Sequence, residues 1–152
     1  MRQRVAVEGL EELNANLRQF GINAERELSR IVNSTAQDVR TTAVRSIQRG
    51  PKSGRVYERG PGNNLSALHQ ASAPDEPPAT DTGSLANSIA VQRTGPISAA
   101  VGTGLVYGMY LEFGTQRMQA RPWLEPALRA SVGRARKRVD DLVDEAAKGL
   151  TV

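Results

Sequence analysis

The chain has 152 residues, 39% of them hydrophobic, no cysteine, and a formal net charge of +4 from 20 Lys+Arg against 16 Asp+Glu. That is enough chain for one domain with a real core, and no apolar run approaches the roughly 20 residues a membrane-spanning helix needs. Without cysteine there are no disulfides or thiolate metal sites, and a single histidine excludes most zinc sites.

The opening residues lack the long apolar stretch of a secretory signal, so synthesis in the cytoplasm is the simplest expectation. Val5 and Val7 alternate with Arg4, Ala6 and Glu8, a weak strand signal. Leu10, Leu13 and Leu17 then mark a helix expected to end at Phe20-Gly21. Asn23 is a plausible cap for a second helix. Its apolar stripe runs through Leu28, Ile31, Val32, Thr35, Ala36, Val39, Ala43, Val44 and Ile47, close to helical spacing, and Gly50-Pro51 stops it.

Between Gly50 and Gly83 the character changes. Five of the eight prolines fall here and no helical stripe survives. A core loop of this length is unusual, so residues 50–80 are expected to form a flexible arm within a single domain spanning 1–152. Arg55-Val56-Tyr57 and residues 65–71 fit the arms of a loose hairpin around Gly60-Pro61-Gly62. A short helix follows, with Asp81 or Thr82 as its cap and Leu85 and Ile89 on one face. Two strands come next, with Ile89, Val91 and Arg93 alternating on one, and Ile97, Ala99 and Val101 on the other. Thr94-Gly95-Pro96 is the expected turn between them.

Residues 106–128 carry four of the six aromatics: Tyr107, Tyr110, Phe113 and Trp123. Tyr107, Tyr110 and Leu111 share a face of a short helix. Gly114 is suited to ending it with a positive φ, and Pro122 to opening the next helix. The last helix is expected from about Pro122 to Lys148, on a stripe of Leu124, Ala127, Leu128, Ser131, Ala135, Val139, Leu142, Val143 and Ala146. The fold class is therefore α+β: a small antiparallel sheet packed against two long helices, with a long loop or arm.

Charge is unevenly placed. Arg117, Arg121, Arg129, Arg134, Arg136, Lys137 and Arg138 are accompanied only by Glu125, and Asp140, Asp141, Asp144 and Glu145 follow at once. Such a dipolar helix can mate head-to-tail with a copy of itself or simply present a solvated face. The chemistry of an enzyme is missing. His69 is the only histidine and no phosphate-cradling loop is present. The paired acids of the last helix point in different directions, which disfavours a metal site. No catalytic residue, cofactor or metal is expected. The basic segment 129–138 and the basic loop 49–59 offer a second reading, a DNA-binding accessory protein. Against it, no aromatic interleaves with the cations of 129–138 to stack bases, and no groove-reading motif appears.

The runs Tyr107-x-x-Tyr110-Leu111-Glu112-Phe113-Gly114-Thr115 and Met118-x-Ala120-Arg121-Pro122-Trp123-Leu124 resemble the signature of the head–tail joining, or tail-completion, proteins of long-tailed phages. The blocks from His69 to Pro74, from Pro77 to Ile89, and from Val7 to Leu13 fit in the same order. The resemblance implies a structural virion protein at the head–tail junction, assembled in the host cytoplasm. It would form a homo-oligomeric ring, six copies being preferred over twelve. Its neighbours would be a head connector, adaptor or stopper protein and a tail tube or tail terminator protein. Packaged DNA would pass through the lumen without specific binding, and no membrane is involved.

The same motif places Tyr107, Tyr110, Leu111, Glu112, Phe113, Gly114, Thr115, Arg121, Pro122 and Trp123 at a subunit or partner interface. Arg55, Tyr57, Arg59, His69 and Gln70 are expected to form a docking arm. Within the interface set, Phe113 and Trp123 also read as core fillers, whereas Tyr107 and Tyr110, with polar tips, suit contact with another subunit. Glu112 is expected to pair with Arg121 or with an arginine of the next subunit.

Overall fold

The computed structural model describes residues 10–58 and 68–150. The strand expected at Val5 and Val7, the hairpin apex at Gly60-Pro61-Gly62, and Arg59 lie outside the described residues. In chain order the elements are α1 (Leu10–Arg49), β1 (Val56–Glu58), β2 (Leu68–Gln70), α2 (Ser84–Ser88), β3 (Ala90–Gly95), β4 (Ser98–Gly102), α3 (Val106–Phe113) and α4 (Glu125–Leu150). The class is α+β. The expected single sheet is instead two separate two-stranded hairpins, β1–β2 and β3–β4, both antiparallel.

The two N-terminal helices expected on either side of Gly21 are one helix of 40 residues, roughly 60 Å long. A lone glycine costs about 1 kcal/mol relative to alanine in a helix interior, which does not suffice to end one. Nothing approaches the position where a Cβ at Gly21 would lie. Asn23 does not cap a new helix. Its side chain accepts a hydrogen bond from Gln19 Nε2 at 3.1 Å, one turn back and across the glycine. The helix does end at Arg49, where the Gly50 N–H closes onto Ser46 O at 2.7 Å before Pro51.

In α2 the N-cap is Gly83 with φ 79°, not Asp81 or Thr82. The Thr82 hydroxyl nonetheless accepts the Ser84 N–H at 3.3 Å. In the second hairpin Val91 faces Val101 and Gly95 pairs with Ser98, so the turn is Pro96-Ile97, later than expected. The register shifts between Arg93 and Gly95. α4 starts at Glu125, so Pro122 precedes the helix and Pro126 occupies its first turn, where its missing N–H leaves no bond unmade.

The core lies where α1, α2 and the start of α4 meet. Val39, Ala43 and Ile47 from α1 pack with Leu85, Ala86 and Ile89 and with Trp123 and Ala127. Each larger apolar side chain so buried contributes about 1.5–3 kcal/mol. The periodicity of both long helices put these residues on inward faces. α1 and α4 run antiparallel: Ile47 and Ala127 share the core, Asp38 meets Arg134 and Arg138, and Phe20 and Leu28 share a cavity wall with Val139 and Ala146. α1 also covers the β3–β4 hairpin, with Arg40 Nε donating to Ile89 O at 2.8 Å.

Candidate interface on the third helix

The eight residues of α3 are held against the start of α4 from two directions. Glu112 points inward and is buried. Its carboxylate accepts the backbone N–H groups of Trp123 at 2.8 Å, Leu124 at 2.9 Å and Glu125 at 2.8 Å. These are donors at the entrance of α4 that have no partner within the helix, and they lie at its positive end. In return the Trp123 indole N–H donates to Gly108 O at 3.1 Å. Gly108 is where the backbone must come close: a Cβ there would lie 2.6 Å from Thr103 Cγ2 and 3.1 Å from Leu85 Cδ1.

The expected ion pair between Glu112 and Arg121 does not form within the chain. The Glu112 oxygens are taken by backbone donors, and Arg121 turns elsewhere. Its N–H donates to Leu111 O at 2.7 Å and its Nε to Ser72 O at 3.2 Å. Gly114 ends α3 with φ 74° as expected, but with ψ −176°, an extended rather than left-handed helical position. A Cβ there would fall 2.8 Å from Met118 O, so the tight loop that follows, bridged between Thr115 and Met118, requires glycine.

Trp123, 2% exposed, fills the core as read from the sequence. Phe113 does not. It is 79% exposed, because the inward positions of α3 are taken by Gly108 and Glu112. Tyr107 and Tyr110 are also exposed, Leu111 is half-buried against the core, and Thr115 is exposed in the loop beside half-buried Gly114, Arg121 and Pro122. The outward side of α3 is therefore an apolar stripe of Val106, Met109, Tyr110 and Phe113 at i, i+3, i+4 and i+7. Met109 and Phe113 line a groove of about 560 Å³ together with Leu105, Trp123, Leu124 and Leu128. Val106 and Met109, like Leu128 in the groove, were not singled out from the sequence for this role. A helix hydrophobic all round is the signal that was available.

The arm residues are brought together at its root. Tyr57 and His69 face each other across β1 and β2 with their rings 5.3 Å apart, edge to face. Arg55 O accepts the Ala71 N–H at 3.0 Å, and Gln70 Nε2 reaches Gly54 O at 3.4 Å. Below them the Glu76 carboxylate binds the Ser53 hydroxyl and N–H and the Ala73 N–H. These bonds hold its carboxyl below the usual glutamate range, the Ser53 side chain contributing most. Asp75 N–H donates to Ala120 O at 3.0 Å, tying the root to the loop after α3. Glu76, Ser72 and Asp75 carried no recognisable pattern in the sequence.

The basic segment of α4 is partly spent inside the chain. Arg134 and Arg138 lie 3.9 and 3.4 Å from Asp38, Arg138 also donates to Ser34 Oγ at 2.9 Å, and Arg129 pairs with Glu125. Arg136 and Lys137 remain exposed. Among the described residues no group of acids and histidines is placed to hold a metal ion, and no helix is long and apolar enough to cross a membrane.

A family model described as "Bacteriophage HK97-gp10, putative tail-component" matches residues 11–114. The chain belongs to this family. Comparison with curated proteins and with solved structures yields no match. Membership in the HK97-gp10 family makes the chain a phage tail component and a structural protein of the virion, in agreement with the resemblance read from residues 107–124. The family match takes in α1, both hairpins, α2 and all of α3, and it stops at Gly114, the residue that ends the exposed stripe.

Proposed function

We propose that this HK97-gp10 family protein forms a ring at the head–tail junction, between the head connector and the tail tube. The observation that carries this reading is the stripe Val106, Met109, Tyr110 and Phe113, held outward on a helix that the Glu112 carboxylate and the Trp123 indole fix in place. An exposed apolar face of this kind on a rigid support is suited to protein contact. Contacts between unlike surfaces of identical subunits close into a ring when their rotation closes. Six copies are expected, twelve being the alternative.

The chain would act as one domain, with the 50–80 arm reaching a neighbouring subunit or a connector, stopper or terminator protein through Arg55, Tyr57, Arg59, His69 and Gln70. DNA would cross the lumen without specific binding. The engagement of Arg134 and Arg138 with Asp38 supports protein-facing rather than DNA-facing use of α4. Electron microscopy of particles made without this protein tests the reading. DNA-filled heads and separate, finished tails are expected, and normally joined particles would refute it.

A further inference from the structure

We infer a phosphate-binding site in the groove between α1 and the turn of the second hairpin, fitted to the backbone of DNA. The groove, of about 410 Å³, is lined by Arg26, Ser29, Arg30 and Asn33 from α1 and by Arg93 and Pro96 from the hairpin. Arg93 is held in place there. Its Nη2 donates to Ser29 Oγ at 3.0 Å and to Pro96 O at 3.2 Å, which leaves the donors of Nε and Nη1 without a partner among the described residues. Arg26 makes no ion pair among the described residues. Arg30 pairs with Glu27, but Glu27 stands on another side of α1, in the wall shared with Val139 and Ala146.

Three guanidiniums thus share the groove with one carboxylate, Glu25, which pairs with none of them. A cleft lined by one sign of charge concentrates ions of the other sign. The donor set selects the anion. Guanidinium forks match the oxygens of a phosphate, and hydroxyl and amide side chains such as Ser29 and Asn33 join them on nucleic-acid backbones. Arg18, Ile22, Arg26 and Arg30 follow one another a turn apart, so the cations run along α1 for roughly 18 Å. A lone carboxylate satisfies one of them, whereas a DNA strand offers a charge about every 3.4 Å along its axis. Contacts to phosphate carry no base information, so DNA of any sequence would pass the site. DNA as the source of the phosphate rests on the junction reading above, and free phosphate is the other source.

Inorganic phosphate and a short random duplex are each titrated into the purified protein at low salt, with the arginine Nε–H resonances followed by NMR. Arg26, Arg30 and Arg93 are expected to shift with both, and duplex should saturate them at a concentration about tenfold lower. R26Q removes an exposed side chain with no ion pair to lose. It should flatten the plot of log affinity for duplex against log salt by about 0.9. R136Q with K137Q, equally exposed cations on α4, should leave that slope unchanged. Shifts confined to α4, an unchanged slope in R26Q, or equal affinity for an acidic peptide of the same charge would overturn the inference, the last in favour of a protein partner. Phosphate binding with no tighter binding of duplex would overturn DNA as the source. Because the purified protein is used alone, failure here leaves the junction role standing. Normally joined particles made without the protein would defeat the junction role and leave the site standing.

Discussion

Glu112 and Trp123 hold each other through two different bonds. The carboxylate accepts the Trp123 backbone N–H at 2.8 Å, while the indole reaches back to Gly108 O at 3.1 Å, one turn before Glu112 on α3. The first bond satisfies a donor at the entrance of α4 and the second ties α3 to it. The face of α3 left over, with Phe113 at its end, is thereby presented to neighbours.

Glu112→Ala should leave the N–H groups of Trp123, Leu124 and Glu125 without their acceptor in a buried place. A loss of about 2–3 kcal/mol is expected. Urea unfolding measures it. A variant as stable as the parent would mean that water replaces the carboxylate at no cost.

Trp123→Ala should cost about 3–5 kcal/mol by opening a cavity among Val39, Leu85 and Ala127. Trp123→Phe should lose less, keeping most of the packing but leaving Gly108 O without its donor. Thermal unfolding of the two variants separates packing from the hydrogen bond. Equal losses would show that the indole N–H contributes little.

Phe113→Glu changes a side chain that touches solvent, so unfolding should shift by no more than about 0.5 kcal/mol. Recovery of the protein in purified particles should nevertheless fall sharply. Normal incorporation of F113E would remove the α3 stripe from the interface.

The arm root should weaken in acid. Hydrogen bonds from Ser53 and Ala73 hold the Glu76 carboxyl below its usual range, so the unfolded chain binds the proton more readily than the folded one. The contribution is therefore complete above the usual glutamate range and is lost as pH falls through the lower folded value. Amide exchange at Ser53 and Ala73, corrected for its intrinsic pH dependence, should accelerate below that range in the parent. In Glu76→Gln it should be fast at neutral pH already and change little on acidification.

Removing residues 59–67 with a short turn in their place should keep the fold, because the bonds at Ser53, Ser72, Asp75 and Glu76 are spared. Removing 55–73 should destabilise it, since Ser72 is buried and its carbonyl receives Arg121. Circular dichroism melts compare the two, and particle incorporation of the shorter deletion then reports on the arm itself.

Much of the framework is local and was legible in the order of residues. Val39, Ala43 and Ile47 repeat at helical spacing because one face of α1 must be dry, and Ala127, Ser131 and Leu142 do the same on α4. Gly114 announced its positive φ because few other residues adopt one. The tertiary structure alone decided the rest. The sheet divided into two hairpins because β1–β2 does not pair with β3–β4. Glu112 became a cap only when the start of α4 folded back beside α3, a contact between residues 11 to 13 positions apart that leaves no periodic trace. Phe113 and Trp123 are both large and apolar, and their composition is silent on which one turns inward. The space on α3 decided it, because Glu112 and Gly108 occupy the inner face and leave Phe113 the outer one.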